Sequence, residues 1–200
     1  MRKLYLAGEK DSCRTIFGAF MKECQVNGIE ISGYIEPSTG LVFSYETGEA
    51  ECHVGDLVKG NEAIFLQAGG RYFDIPDDRS HSLIHTSAII SDNVLFGKNT
   101  VVMPGCLFYP NFSSGQFNIF MNSFRSGHDI VVGDSCFFAY YSFLGSFVTI
   151  GSGVRLGIKS MVKEYVRAGN NSYLKPGSIL VENMNEGETR NGIPAKPLKK

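Results

Sequence analysis

Apolar residues return every sixth position through the second half of the chain. Stepping by six from Phe96 meets Val102, Phe108, Ser114, Phe120, Ser126, Val132, Phe138, Leu144, Ile150, Leu156, Val162, Ala168, Leu174 and Leu180, and only the two serines are polar. Ile84 and Ile90 extend the beat backwards, and glycine follows it at 97, 133, 145, 151, 157 and 169. A strand alternates its side chains between faces. A six-residue unit is therefore a short strand and a turn, and its fixed repetition predicts a parallel β-helix. The glycine after each inward residue is expected where the chain bends, because glycine tolerates such backbone best. A second inward position, four residues on, should be small. It reads Thr100, Cys106, Phe112, Asn118, Phe124, Ile130, Cys136, Ser142, Val148, Val154, Ser160, Val166, Ser172 and Ser178, with two phenylalanines as exceptions. An ordinary β-sandwich would place its turns irregularly, about 8–12 residues apart. The β-helix is assigned to residues 83–182 and a closing segment to 183–200.

The preceding pattern is different. Lys3–Gly8 is a short apolar run. Residues 12–25 form an amphipathic helix with Ile16, Phe17, Phe20, Met21 and Cys24 on one face. Ile29–Ile35 alternates as a second strand, Glu36–Gly40 is a turn, and Glu62–Ala68 reads as a third strand. Strand, helix and strand make a βαβ, Rossmann-like unit over residues 1–75, with its crevice at the carboxyl ends of the strands. After the first strand the chain reads Gly8-Glu9-Lys10-Asp11-Ser12. Two carboxylates where a pyrophosphate would sit oppose tight phosphate binding. A packing domain without a ligand fits this segment equally. Residues 76–82 are polar and turn-rich, as a linker would be.

Charge and composition narrow the class. A net charge of −1 over 200 residues offers no electrostatic footprint for nucleic acid. No apolar run is long enough to span a membrane, and the first residues lack a signal peptide's apolar core. The five cysteines show no clustered spacing, and Cys106 and Cys136 fall on small inward positions. They read as core residues of a protein in a reducing cytoplasm.

Three segments carry a family resemblance. Leu83-Ile84-His85-Thr86-Ser87-Ala88-Ile89-Ile90 resembles the opening motif of hexapeptide sugar acetyltransferases of the PglD/NeuD type; Asn122–Gly133 (NSFRSGHDIVVG) and the ending Asn191–Lys196 (NGIPAK) continue it. The resemblance implies a left-handed β-helix and acetyl transfer from acetyl-CoA to an amino or nucleotide-linked sugar for surface glycans, without a metal. It implies His128 as general base, with Asp129 orienting the imidazole and Asn122 binding the acceptor. It implies a homotrimer with the cofactor between adjacent β-helices, against Gly145, Ser146, Gly157, Ile158 and Pro176. Ile193, Pro194 and Lys196 of the ending would close that groove. Lys163, Arg167 and Lys175 either meet its phosphates or are solvated charges. Glu36 stands where the family has an acid after the second strand, and Glu9-Lys10-Asp11 replaces its Gly-rich loop, which implies an acceptor with less negative charge than a nucleotide diphosphate. A second histidine found in some relatives is Phe137 here. Seven aromatics, Tyr109, Phe117, Phe137, Tyr140, Tyr141, Phe143 and Phe147, fall on outward positions, as an interface or a ligand platform would require.

Other functions share the fold. A zinc carbonic anhydrase needs three converging histidines, and only His128 lies well inside the repeats. A structural β-helix module would have no use for the His128-Asp129 pair. An O-acetyltransferase of another small acceptor is the rival within the enzyme class, and its relatives carry a helical extension or a long loop instead of a βαβ unit.

Overall fold

A computed structural model describes residues 2–60 and 63–198. The N-terminal unit runs β1 (Arg2–Ala7), α1 (Lys10–Val26), β2 (Ile29–Ile35), β3 (Leu41–Ser44), β4 (Ala50–His53), α2 (Val54–Lys59) and β5 (Ala63–Gln67). The predicted start of the last strand, Glu62, lies outside the described residues. The sheet order is β4-β3-β2-β1-β5. β1 pairs in parallel with β2 and β5, while the β3–β4 hairpin, which the apolar pattern does not single out, adds an antiparallel edge. α1 begins two residues earlier than periodicity suggests. It buries Cys13, Ile16, Phe17, Phe20 and Cys24 and leaves Met21 half-exposed.

From Leu83 the chain winds into a parallel β-solenoid of about six turns. Each turn contributes one short strand to each of three faces. The first face stacks Leu83–Ile84, Val101–Val102, Ile119–Phe120, Phe137–Phe138, Arg155–Leu156 and Tyr173–Leu174. The second stacks the strands at Ile89, Leu107, Arg125, Phe143, Met161 and Ile179, and the third those at Leu95, Phe112, Ile130, Thr149 and Arg167. The pairings among these strands join residues eighteen apart, as Ile119↔Phe137 and Phe143↔Met161 do, and only the closing pairing, Tyr173↔Thr189, is shortened to sixteen. The turns between faces define a first corner (after the first face), a second and a third.

The inward positions form one continuous core, fully buried over most of its length. The two serines that break the beat are explained by the two oversized neighbours. Phe112 precedes Ser114 by two residues and Phe124 precedes Ser126, and both rings are fully buried. They fill the volume the serines leave, in a stack with Phe108, Phe120 and Phe138 at centroid distances of 4.8–5.8 Å. Large and small are exchanged between facing positions at constant volume, which a close-packed core tolerates. Ser114 Oγ is buried without a hydrogen-bond partner among the described residues, but other small polar residues inside are satisfied locally. The hydroxyls of Thr100, Ser142, Ser160 and Ser172 each donate to a carbonyl three residues back.

The glycine expectation needs correcting. Gly97, Gly133, Gly145, Gly151, Gly157 and Gly169 do not have positive φ. A Cβ on any of them would lie 2.4–2.6 Å from the next coil. Their hydrogen side chain is required by the close approach of coils. The left-handed residue sits two positions later, and at the second corner it is Asn93, Asn111, Asp129, Phe147 and Tyr165, with φ between 55 and 63°.

The two ends differ. Met184 and Ala195 close the last turn, aided by a hairpin of Thr189–Gly192 and Ala195–Pro197. At the opening turn Ile84 and Ile90 lie at the end of the stack and are 41% exposed. The N-terminal unit packs through α1 on the first face, where Leu83, Val101, Met103, Ile119 and Met121 share a core with Ile16, Phe17 and Phe20. Residues 76–82, expected as a linker, are tied down. Ser80 bridges to Phe65, and the guanidinium of the buried Arg79 donates to the carbonyls of Val58 and Gly60.

Candidate active site

The second corner carries the sharpest chemistry. Strand Arg125–Ser126 ends there, and the chain turns through Gly127, His128 and Asp129 before entering the third face at Ile130. A Cβ on Gly127 would lie 2.6 Å from Ser146 Oγ, so this turn sits tightly on the coil below. Asp129 occupies the left-handed position at φ 55°, which a short polar side chain adopts more readily than most. That backbone directs both side chains outward, and they are 48% and 41% exposed. His128 Nδ1 lies 2.6 Å from Asp129 Oδ2. A carboxylate only accepts, so Nδ1 carries the hydrogen, and in the neutral imidazole Nε2 is the acceptor, with no hydrogen bond to it among the described residues. The other carboxylate oxygen accepts from Asn111 Nδ2 at 3.1 Å. Those two bonds, the one from His128 first, hold the Asp129 carboxyl below its usual range.

The coils above and below complete the surroundings. Ser146, one coil further on, accepts from the His128 amide at 3.3 Å, and the His128 carbonyl accepts from the Phe147 amide at 3.1 Å. The Phe147 ring meets the imidazole edge-on at 5.0 Å and stacks on Tyr165 at 4.9 Å. Tyr165 and Asn111 are absent from the sequence-based set. The signal that finds them is the eighteen-residue step from Asp129, up one coil to Asn111 and down two to Tyr165.

The remaining expected residues separate by corner. Gly145 and Ser146 join His128 at the second corner. Asn122, Ile158 and Pro176 lie on one column of the first corner, which steps by eighteen residues through Tyr140, with Gly157 beside them. Ile158 and Pro176 are exposed, whereas Gly145 and Gly157 are buried against the coil below. The Gly192 amide donates to Ser178 Oγ at 2.9 Å, bringing the exposed Ile193-Pro194 turn alongside this column. Lys196 is exposed and 4.0 Å from Glu182, and Lys175 Nζ lies 4.5 Å from the centre of the Tyr173 ring. Asn122 thus stands across the second face from His128 in the same chain.

Glu36 lines a cleft of about 630 Å³ in the N-terminal unit, with Gly8, Glu9, Lys10 and Tyr72. Its Oε2 accepts from Thr39 Oγ1 at 2.7 Å, and the stacked rings of Tyr34 and Phe43 form part of the wall. Gly8, Glu9 and Tyr72 also border a second cavity, which reaches the first face at Phe137 and Arg155 and the third corner at Ser135 and Gly153. The crevice therefore opens toward a different corner from the one holding His128 of its own chain. Of the seven outward aromatics, Phe137 and Tyr140 pack against the α1 core. Among the described residues no group of three or more His, Cys, Asp or Glu side chains is placed to hold a metal ion. No helix of the described residues is long and apolar enough to cross a membrane.

A variant of perosamine N-acetyltransferase from Caulobacter crescentus, solved with CoA and GDP-perosamine, superimposes with a TM-score of 0.84 at 17% identity, over 100% of this chain and 98% of that one. It has the fold of the sugar N-acetyltransferases. WeeI from Acinetobacter baumannii AYE gives a TM-score of 0.77 at 15% identity, over 99% and 100% of the two chains. The acetyltransferase domain of PglB from Neisseria gonorrhoeae FA1090, solved with acetyl coenzyme A, gives 0.56 at 16% identity, over 98% and 99%. In sequence, the chain is 25% identical over 150 residues to UDP-3-O-acylglucosamine N-acyltransferase from Caulobacter sp. (strain K31), covering 74% of this chain and 41% of that protein. The chain thus spans about two fifths of the curated relative it matches. No protein-family model matches.

Proposed function

We propose that this chain is an acetyl-CoA-dependent acetyltransferase acting on the amine of an amino sugar or nucleotide-linked sugar in surface-glycan synthesis, with His128 as general base. The observation that carries the reading is the His128–Asp129 pair, whose Nδ1–H is fixed by the carboxylate and whose Nε2 faces out of the fold. The acceptor nitrogen attacks the thioester carbonyl carbon as Nε2 takes its proton. The carbon–sulfur bond then breaks, and the proton passes to the leaving sulfur to give free CoA thiol. Asp129 stabilises the imidazolium between those steps.

Acetyl-CoA suits the first-corner column. Ile158, Pro176, Ile193 and Pro194 give an apolar strip for the pantetheine arm, and Lys175 and Lys196 lie near it for the phosphates. That strip and His128 belong to different corners of one chain, which supports a homotrimer. A groove between neighbours brings the second corner of one protomer to the first corner of the next, and a closed cyclic assembly repeats it three times. The same separation supports residues 1–75 as an acceptor-binding, Rossmann-like domain serving a neighbour's His128, with Glu36 and the Tyr34–Phe43 pair on the non-reacting end. The left-handed winding, the domain limits and a cytoplasmic location, where acetyl-CoA is made available, belong to this reading.

Its test is release of free thiol from acetyl-CoA with free and nucleotide-linked amino sugars. Acceptor-dependent release, with the acetamide as product, is expected. Release with hydroxyl acceptors alone would replace the N-acetyl reading by O-acetylation, and release with none of them would leave only a β-helix module.

A further inference from the structure

The second corner holds a row of side chains of which the reaction as proposed uses only Asp129. Asn93, Asn111 and Asp129 take the same left-handed position in three successive coils. Asn93 Nδ2 lies 3.4 Å from Asn111 Oδ1, Asn111 Nδ2 lies 3.1 Å from Asp129 Oδ1, and Asp129 Oδ2 lies 2.6 Å from His128 Nδ1. From this ladder we infer that Asn111 is a positioning residue, which fixes the Asp129 carboxylate and through it the tautomer and orientation of His128. The inference rests on His128 being the general base.

Donor and acceptor capacity set the polarity of the ladder. Ionised Asp129 can only accept, so Asn111 must turn its amide nitrogen toward it. Asn111 Oδ1 is then left facing Asn93, which must in turn present its own amide nitrogen. Each carboxylate oxygen of Asp129 has one partner, so the group cannot rotate about its last bond without breaking one of the two. The backbone reinforces the arrangement. The Asp129 amide donates to the Pro110 carbonyl and the Ile130 amide to the Asn111 carbonyl, each at 3.1 Å. The coil carrying Asn111 is therefore locked to the coil carrying the pair. A surface pair as exposed as His128–Asp129 would otherwise sample several rotamers, and small misplacements of a catalytic group are costly. The other ionisable groups of this corner are Asp92, Tyr109, Lys163, Glu164, Tyr165 and Glu182, and among the described residues no hydrogen bond or ion pair joins any of them to His128 or Asp129.

Two substitutions test this in the full chain. Asn111→Gly removes the amide and keeps the left-handed corner unstrained. It should lower kcat about tenfold or more, with KM within about twofold. In ¹⁵N spectra the His128 ring signals, assigned by their loss in His128→Ala, should move from the Nδ1–H form toward a tautomer mixture. Asn111→Asp keeps the shape but places an acceptor against an acceptor. The added anion favours the imidazolium, so the acid limb of kcat/KM should move to higher pH. Asn93→Gly, one coil further away, should change kcat less than threefold. Wild-type kcat and an unchanged tautomer in Asn111→Gly, or an unmoved acid limb in Asn111→Asp, would overturn the role of Asn111. Should Asn111→Gly unfold, the acid limb of Asn111→Asp alone decides. Full activity in His128→Ala would instead overturn the reading on which this one rests.

Discussion

Replacing Gly133 by alanine separates two reasons for a glycine in this solenoid. Its backbone is not left-handed, yet an added Cβ would lie 2.6 Å from Ser152 N and Oγ and 2.8 Å from Gly151 C. Ordinary contact begins near 3.4 Å, so the coils must part by roughly 0.8 Å at this point. The contacts that resist are backbone bonds across the same seam, Gly133 N to Ile150 O and Gly153 N to Asp134 O, both 2.8 Å. Weakening two such bonds at about 1 kcal/mol each, with the strain of overpacking, gives a loss of about 2–3 kcal/mol. Gly177 is the contrast. Its φ is +68° and nothing lies within 4 Å of an added Cβ. Gly177→Ala therefore carries only the conformational cost of the left-handed region, about 1–2 kcal/mol, and Gly177→Asn less. Urea unfolding of the two alanine variants at equal protein concentration orders them. A Gly133→Ala variant as stable as wild type, or less harmed than Gly177→Ala, would refute the close-approach account of the hexad glycines.

His128→Ala should fold normally, since the side chain is half-exposed, and lose roughly 10²–10⁴-fold in turnover by thiol release; Asp129→Asn should lose less, and the reverse order would remove the assigned roles. At the closing hairpin, Glu188 accepts from Arg190 Nε at 3.0 Å and its carboxyl is held below the usual range by that bond first. A carboxyl lowered on folding stabilises above its unfolded pKa of about 4.3 and loses that contribution as pH falls through the folded value. Thermal melting of Glu188→Gln should show a loss of about 2 kcal/mol near neutral pH that vanishes in acid, and a constant difference across the range would contradict the pairing. Calorimetry with UDP, dTDP and CMP should show weak or no binding, because Glu9 and Glu36 line the crevice against a single Lys10; micromolar UDP binding that survives Glu9→Gln and is lost in Glu36→Ala would keep the site and reverse the charge argument.

The hexad beat made the solenoid legible because its core residues point inward at fixed intervals, whatever the neighbouring domain does. The same beat misassigned the reason for its glycines. Crowding between coils is a contact between residues eighteen apart, and a six-residue reading sees only the local turn. The βαβ order was readable from strand and helix periodicity. The β3–β4 hairpin was not, because its four-residue strands are too short to show alternation. His128 and Asp129 were found as neighbours in the chain. Asn111 and Tyr165 were missed because their relation to the pair exists only once coils are stacked. The division of the expected cofactor residues between two corners was likewise invisible, since position within a triangular turn depends on where the first strand starts.

The unbroken register between coils makes the length of this protein a quantised property. A one-residue deletion within a strand would turn every later inward side chain outward until the next corner absorbed it. Insertions at a corner bulge without shifting the faces, but growth along the axis proceeds only by whole eighteen-residue turns, each adding about one strand spacing, roughly 4.8 Å. The solenoid behaves as a molecular ruler. The span from the His128 corner to the closing hairpin is set by a whole number of turns, and duplication or loss of one turn below Tyr165 would change the length available to an extended cofactor in a single step while leaving the His128 corner intact.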